Sequence, residues 1–305
     1  MRRLVIVNQK GGVGKTTTTA NLAAALVRRG WRVLLIDMDP QAHLSIHFGF
    51  DPESNEPTIY DVLTQGTSVT EILRDTEEGL RLLPACVDLA AAEVELAGVD
   101  DRHYLLRNAL SPLENEFDAI LVDCAPSLGL LTLNALCAGF EVIIPLQPHF
   151  LALQGLMKLG QTVALVRARL NPMLRIAGVV VVMQDTGTLL SAEVISGLEQ
   201  ILAAHRRSGD AWGDARIFST RIRRNIKLAE CPSHQTSIFT YAPKSNGALD
   251  YAALADELFG TAAAAPVAPA DAAPPVSAAT TRPTHNPRDA EDAAPSKPSV
   301  RTATA

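Results

Sequence analysis

A glycine-rich loop close to the N-terminus constrains the fold of this chain more than any other stretch. It reads Lys10-Gly11-Gly12-Val13-Gly14-Lys15-Thr16-Thr17, and it lies between an apolar run at residues 4–7 and a helix-forming stretch at residues 18–27. A strand, a glycine-rich loop and a helix in this order are the context that a phosphate-binding loop requires. Glycines adopt positive φ and let the backbone approach an anion, while loop N–H groups and the helix N-terminus point at the phosphates. The loop therefore predicts nucleotide binding.

The loop departs from the standard phosphate-binding pattern. That pattern has a glycine at the position of Gln9, and here a second lysine, Lys10, lies inside the loop instead. We expect Lys15 to pair with the β- and γ-phosphates and the Thr16 hydroxyl to ligate Mg²⁺. The alternative is a glycine turn with an incidental lysine, and the flanking strand and helix disfavour it.

Composition favours an aliphatic α/β protein. Hydrophobic residues make up 47% of the 305 residues but aromatic residues only 5%, which is typical of buried parallel sheets. The four cysteines show no metal or disulfide spacing, which favours a reduced, cytoplasmic chain. The net charge is −6, so binding to nucleic acid would need a local basic patch. We find no apolar run long enough to span a bilayer.

Carboxylates follow two of the predicted strands. Asp37 and Asp39 end the apolar run 33–36, and Pro40 is expected to stop that strand. Asp123 closes the run 117–122. Ligands of open α/β sheets bind at the carboxyl ends of strands. One of the first two carboxylates is therefore expected to approach Mg²⁺ and the other to orient an attacking water. Asp123 is expected to hold Mg²⁺ through its water shell. A solvated strand end with an Asp-Pro turn is the alternative for the first pair.

The remaining pattern predicts one folded domain and a tail. Apolar runs at 80–83, 142–146 and 176–183 read as further strands, with helical segments between them, notably 150–170. This alternation predicts a mostly parallel, twisted sheet covered by helices on both faces. Residues 1–260 form the predicted domain. Residues 261–305 are rich in Ala and Pro and are expected to be disordered.

A basic stretch precedes the closing helix. No acidic residue lies between Asp214 and Glu230, whereas five basic residues do. With a second basic spot, the candidates for contact with a phosphate backbone are Arg206, Arg207, Arg221, Arg224 and Lys227. A solvated charged face explains the same stretch, and the charge run alone leaves both interpretations open.

Four motifs in order resemble those of the ParA-type (Soj-like) ATPases, which belong with MinD to the deviant Walker A group. The motifs are residues 8–18, 37–41, 123–132 and 224–234, and the resemblance covers residues 3–260. It implies a single-domain P-loop NTPase that binds ATP and Mg²⁺ and forms an ATP-dependent sandwich dimer. In such a dimer the lysine matching Lys10 reaches the phosphates bound by the partner subunit.

The resemblance also assigns roles to individual residues. Lys10, Lys15 and Asp39 match catalytic residues, and Asp39 would position the attacking water. Thr16, Asp37 and Asp123 match the family residues that lie around the bound Mg²⁺. The nucleotide-contacting positions are Lys10, Gly11, Gly12, Val13, Gly14, Lys15, Thr16, Thr17, the backbone of Arg223, and Asn225.

The function implied is the partition or positioning of a chromosome, plasmid or other cargo. In relatives the ATP dimer binds DNA without sequence preference, and a ParB-like or cargo-adaptor protein stimulates hydrolysis. We therefore expect a cytoplasmic, nucleoid-associated protein that does not bind a membrane. A MinD-like membrane-cycling ATPase and a nitrogenase-reductase-like enzyme are the alternatives; the first would need an amphipathic C-terminal helix and the second paired cysteines.

The chain departs from the family pattern at several positions. Ala125 and Arg223 replace usual prolines, and Gln235 replaces a usual glycine. Gly187 occupies the position of a DNA-contacting arginine. DNA binding is therefore expected to use the basic candidates named above, among which Lys227 matches a basic position of the family.

Overall fold

A computed structural model describes residues 1–184, 189–206 and 210–260. These residues fall within one compact unit, Met1–Pro266. Within the described part of the chain the strands form one sheet of nine strands. The strands are β1 (Arg2–Ile6), β2 (Val33–Met38), β3 (Arg74–Asp75), β4 (Arg81–Leu83), β5 (Ala119–Cys124), β6 (Glu141–Leu146), β7 (Arg175–Gln184), β8 (Arg216–Ile217) and β9 (Ile222–Arg223).

The strand order puts the glycine-rich loop at the centre of the sheet. The order is β3-β4-β2-β5-β1-β6-β7-β8, with β9 also paired to β7. Every pairing is parallel except the one between β3 and β4. The carboxyl ends of β1, β2 and β5 therefore meet at one edge, and these strands carry the loop and the carboxylates.

Helices connect the strands and cover the sheet. They are α1 (Lys15–Val27), α2 (His43–His47), α3 (Ile59–Gln65), α4 (Val69–Ile72), α5 (Leu89–Glu95), α6 (Leu105–Ala109), α7 (Leu130–Ala138), α8 (Ala152–Arg169), α9 (Leu189–His205), α10 (Ile226–Glu230), α11 (Ile238–Tyr241) and α12 (Asn246–Phe259). Short 3₁₀ turns lie at Ser111–Leu113 and Cys231–His234.

Two aliphatic cores lie on opposite faces of the sheet. Successive β1 side chains alternate between them, because side chains along a strand point to opposite faces: Val5 joins one core and Leu4 and Ile6 the other. The first core contains buried side chains of α7, α8 and α9, and the second contains those of α1, α10, α11 and α12. This arrangement confirms the predicted α/β fold, with a mostly parallel sheet covered on both faces.

The strand signals were located correctly, with small shifts at the ends. The runs predicted at 80–83, 142–146 and 176–183 correspond to β4, β6 and β7, and β2 ends at Met38, before Pro40. The predicted tail, residues 261–305, lies outside the described residues, so the division into domain and tail stays a prediction.

Candidate nucleotide site

The glycine-rich loop connects β1 to α1 and exposes its backbone. Gly12 has φ 72° and Gly14 has φ 75°, the left-handed region that favours glycine. Gly14 is the N-cap of α1 and provides no side chain to cap it. A Cβ added at Gly11 or Gly12 would meet no atom within 4 Å. The backbone N–H groups at the start of α1 are thus accessible to an anion.

The two lysines of the loop differ in exposure. Lys15 is buried, and its Nζ lies 3.4 Å from the Lys10 carbonyl oxygen. Lys10 is exposed, and no described residue forms a hydrogen bond or ion pair with its ammonium. Asn8 holds the start of the loop: its Nδ2 donates to the Pro145 carbonyl on β6 at 2.7 Å, and its Oδ1 accepts from the Lys10 N–H at 3.1 Å.

Two of the predicted carboxylates are neighbours in the sheet. Asp37 on β2 and Asp123 on β5 are register partners, and both are fully buried. Thr16 Oγ1 donates to Asp123 Oδ2 at 2.6 Å, and Thr19 Oγ1 donates to Asp123 Oδ1 at 3.2 Å. The first turns of α1 and the carboxyl end of β5 are therefore joined directly.

The burial of Asp37 and Asp123 disfavours the charged forms of both carboxyl groups. Burial raises the pKa of Asp123 above its ordinary value, and the charge of neighbouring Asp37 raises it further, against the hydrogen bond from Thr16. Burial also raises the pKa of Asp37, although hydrogen bonds from Ser45 partly offset this. A cation near these groups would favour their charged forms.

Asp37 and Asp39 have different partners. Asp37 Oδ2 accepts from the N–H and the hydroxyl of Ser45 on α2, at 2.9 Å and 2.8 Å, and Oδ1 accepts from the Asp39 N–H at 3.1 Å. Asp39 lies beyond the strand end and accepts from the Gln41 N–H at 3.0 Å. Asp37 is thus fixed by α2, whereas only the Asp39 Oδ1 is engaged by this turn.

The donor set fits Mg²⁺. Thr16 and Asp123 present hydroxyl and carboxylate oxygens 2.6 Å apart, and Mg²⁺ prefers such oxygens. Across the described ranges, no group of three or more His, Cys, Asp and Glu side chains forms a metal site by itself. Mg²⁺ usually keeps several waters and binds through one or two carboxylates together with substrate phosphates. Thr16 and Asp123 would hold Mg²⁺ on this side of the site, and the ion would supply positive charge that offsets the charge of the nucleotide phosphates.

A cavity of about 410 Å³ adjoins the loop on the side of α10. Gly14 and Thr17 form one wall and Asn225 and Ile226 another. The remaining lining is mostly apolar: Val182, Met183, Ile222, Leu228, Ala229 and Tyr251, with Arg223 and Arg224. A mostly apolar cavity next to a phosphate-binding loop suits a nucleoside.

Arg223 and Asn225, two of the predicted nucleotide-contacting residues, border this cavity. Asn225 caps α10, and its Oδ1 accepts from the Lys227 N–H at 3.0 Å. The Arg223 side chain is turned to Asp250, with Nη2 2.6 Å from the Asp250 Oδ1. The Arg223 N–H also donates to Asp250, at 3.0 Å.

The basic candidates differ in their surroundings. Lys227 is exposed and pairs with Glu230 at 2.8 Å. Arg221 donates to the Phe218 carbonyl, and burial lowers its pKa. Arg224 is exposed, and so is Arg206, just past α9. Arg207 and Gly187 lie outside the described residues. The role of this set in DNA binding stays a prediction.

Several residues that support the site were not predicted from the sequence. Ser45 fixes Asp37 and Asp250 fixes Arg223; both act over contacts that no local pattern reveals. Thr19 is the exception, because it follows Thr16 by three positions, and helix residues at that spacing share a face.

Fold and site together define a P-loop ATPase of the α/β class that binds ATP and Mg²⁺. A family model described as an AAA domain matches residues 1–176. The chain is 43% identical to the chromosome partitioning protein ParA of Myxococcus xanthus over 258 residues, 84% of this chain and 87% of the relative. It is 41% identical to the sporulation initiation inhibitor protein Soj of Bacillus subtilis over 256 residues, 84% and 97% of the two chains. The chain belongs to the ParA/Soj family of partitioning ATPases.

A solved structure supports the nucleotide and metal assignment. The chain resembles cobyrinic acid a,c-diamide synthase from Mycobacterium smegmatis, crystallised with an ATP analogue and magnesium. The TM-score is 0.72 at 36% identity, and the match covers 85% of this chain and 94% of that one. Among the helices described here, none has the length and apolar character needed to cross a membrane.

Proposed function

We propose that this ATPase is a nucleotide-switched homodimer that binds DNA without sequence preference in its ATP state. By cycling on and off DNA it segregates or positions a chromosome, a plasmid or another cargo, and a ParB-like or cargo-adaptor protein stimulates hydrolysis. It works in the cytoplasm on the nucleoid. The observation that carries the proposal is the similarity to chromosome partitioning protein ParA over 84% of the chain.

The two lysines of the loop have separate roles in this cycle. Buried Lys15 pairs with the phosphates of its own subunit, because it lies at the start of α1 behind the loop backbone. Exposed Lys10 reaches the phosphates of the partner subunit, where a second ammonium stabilises transition-state charge as an arginine finger does. Hydrolysis then requires two subunits, which couples ATP turnover to assembly.

The carboxylates divide the remaining work. Thr16, Asp37 and Asp123 are the residues around the Mg²⁺ ion. Asp39 orients the attacking water, which suits a carboxylate at the end of β2 that is not fixed by α2. In this scheme the protein positions the reactants and stabilises charge, as phosphoryl transfer requires.

DNA contact and nucleotide contact share one segment. Arg224 and Lys227 flank Asn225, which borders the cavity next to the loop. A nucleotide that orders Asn225 therefore also orders the basic residues beside it. Arg206, which is exposed, and Arg221, which is half-buried, are further candidates for phosphate contact, as is Arg207 from its place in the sequence.

A MinD-like membrane cycle receives less support. It needs an amphipathic helix whose apolar face is available to lipid. The apolar face of α12 is already used, because Tyr251, Leu254 and Ala255 are buried in the same core as α1.

The test measures binding of a labelled DNA duplex of arbitrary sequence by fluorescence anisotropy. Binding should require ATP and Mg²⁺, should be lost in Lys15→Ala, and should fall by about 0.9 in log K per phosphate contact for each decade of salt. Lys227→Ala should reduce that salt slope by about one contact. Lys158→Ala, on the helix covering the opposite face of the sheet, is the matched control. Equal binding by the ATP-loaded protein and Lys15→Ala would disprove the mechanism.

A further inference from the structure

An exposed aromatic side chain lies next to the phosphate loop. Phe150 is 83% exposed and Leu151 is 59% exposed, in the turn between β6 and α8. Large apolar side chains exposed together on one face commonly mark a contact surface. Phe150 is therefore a candidate anchor for another macromolecule.

This turn is held in place against the loop. The Asn8 side chain bonds the Pro145 carbonyl at the end of β6, so the loop and the strand that leads to the turn are joined. Inside the turn, the Ala152 N–H donates to the His149 carbonyl at 2.9 Å. Phe150 therefore lies in a defined turn that is connected to the phosphate loop through Asn8.

A groove adjoins this turn, because His149 and Leu151, the two sequence neighbours of Phe150, line it. Its volume is about 400 Å³, and its lining includes Lys10, Val13, Leu146, Leu151 and Gly155. Gly155, in the first turns of α8, has no atom within 4 Å of the position a Cβ would occupy. The face therefore combines a protruding aromatic ring with an open groove that contains the proposed trans-acting lysine.

We propose that Phe150 of each subunit inserts into the groove of a second copy of this chain, between Lys10 and Gly155, and anchors the ATP-bound dimer. This inference rests on the proposed function, since it names the contact that brings Lys10 to the partner's nucleotide. A two-fold interface uses the same patch on both subunits. A ring and a groove on one patch satisfy that rule, because each subunit supplies both halves of the contact.

The first test replaces the ring. Dimerisation with a non-hydrolysable ATP analogue and Mg²⁺ is measured by sedimentation velocity. Phe150→Ser should raise the dimer dissociation constant at least about 30-fold, because it removes a central aromatic anchor from both subunits. Binding of the analogue by the monomer should be unchanged. Met173→Ser is the matched control: Met173 is 71% exposed, but it lies just before β7, at the opposite end of the strands. It should dimerise like the parent protein.

The second test fills the groove. Gly155→Leu meets no atom within 4 Å at its Cβ and replaces a helical glycine by a better helix former, so the monomer should keep or gain thermal stability. The same leucine occupies the space proposed for the partner's ring, so dimerisation should weaken at least about tenfold. Loss of the dimer in a variant whose monomer is intact separates this effect from misfolding.

The outcomes distinguish this inference from the proposed function. If the parent protein forms no dimer with the analogue, both are wrong. If the parent protein dimerises and both variants dimerise equally well, the ATP-switched dimer stands and the anchor is wrong. If Phe150→Ser dimerises normally but loses stimulation by a partner protein, the face binds that protein instead and the inference is also wrong.

Discussion

Raising the pH through neutrality should destabilise the nucleotide-free protein, because the folded state keeps the Asp123 carboxyl protonated at pH values where the unfolded chain has released that proton. Its pKa is raised by burial and by Asp37, whereas the unfolded chain has a carboxyl pKa of about 3.9. A group with a raised folded pKa contributes stability that is fully present below the unfolded pKa and is lost as the pH rises through the folded pKa. Between the pKa of the unfolded chain and the pKa of the folded state, the folded state holds one more proton than the unfolded state.

The expected size follows from this proton difference. The free energy of unfolding falls by up to about 1.4 kcal/mol per pH unit for one group. Between pH of about 6.5 and about 8 the loss from Asp123 alone is up to about 2 kcal/mol. Asp37 shifts in the same direction. Burial lowers the pKa of His47, an effect of opposite sign that is confined to pH below about 6.5, the ordinary histidine pKa.

Urea unfolding at a series of pH values, with EDTA and without nucleotide, measures the slope. Asp123→Asn should flatten it and should also remove the stabilisation by ATP and Mg²⁺. Asp75→Asn, at a side chain that is 80% exposed, should keep the parent slope. A parent protein whose stability is constant or rises over this range would refute the reasoning, and so would an Asp123→Asn variant with an unchanged slope.

Three further changes test other parts of the molecule. Lys10→Ala should bind ATP yet remain monomeric in gel filtration with Mg²⁺ and ATP, and a stable dimer would contradict the trans role of that lysine. Asp39→Ala should bind ATP and dimerise but release phosphate at least about 10²-fold more slowly; normal turnover would exclude it as the group that orients water. Gly160→Ala places a Cβ 2.3 Å from the Trp212 ring and should lower the free energy of unfolding by about 1–3 kcal/mol. Gly155→Ala, on the same helix with open space, should not, and equal urea midpoints would refute the packing argument.

The parts of the fold that the sequence predicts are those with strong local signals. The loop, β2 and β5 combine an apolar run with a glycine or an aspartate at its end, so both the element and its functional end are visible. Strands of two residues, such as β3, β8 and β9, carry no periodicity, because two side chains cannot define an alternation. They form because longer neighbours offer backbone groups to pair with.

The site, like the fold, has features that local sequence signals predict and features that depend on residues distant in sequence. The positions of Lys15, Thr16 and Asp123 follow from motifs, but their environment does not. The raised pKa of Asp123 comes from its burial and also from Asp37, which lies 86 positions away in sequence and next to it in the sheet. Likewise, a charge count treats Arg221 as a surface cation, whereas the fold turns it to a carbonyl.

The Asn8 side-chain amide connects the phosphate loop to the strand that leads to the Phe150 turn. Its Nδ2 donates to the Pro145 carbonyl near the end of β6, and its Oδ1 accepts from the Lys10 N–H. One side chain therefore links the loop to the end of β6 directly, outside both aliphatic cores. The proposed phosphate contact of Lys10 and the proposed contact surface at Phe150 are thus connected through a single amide side chain.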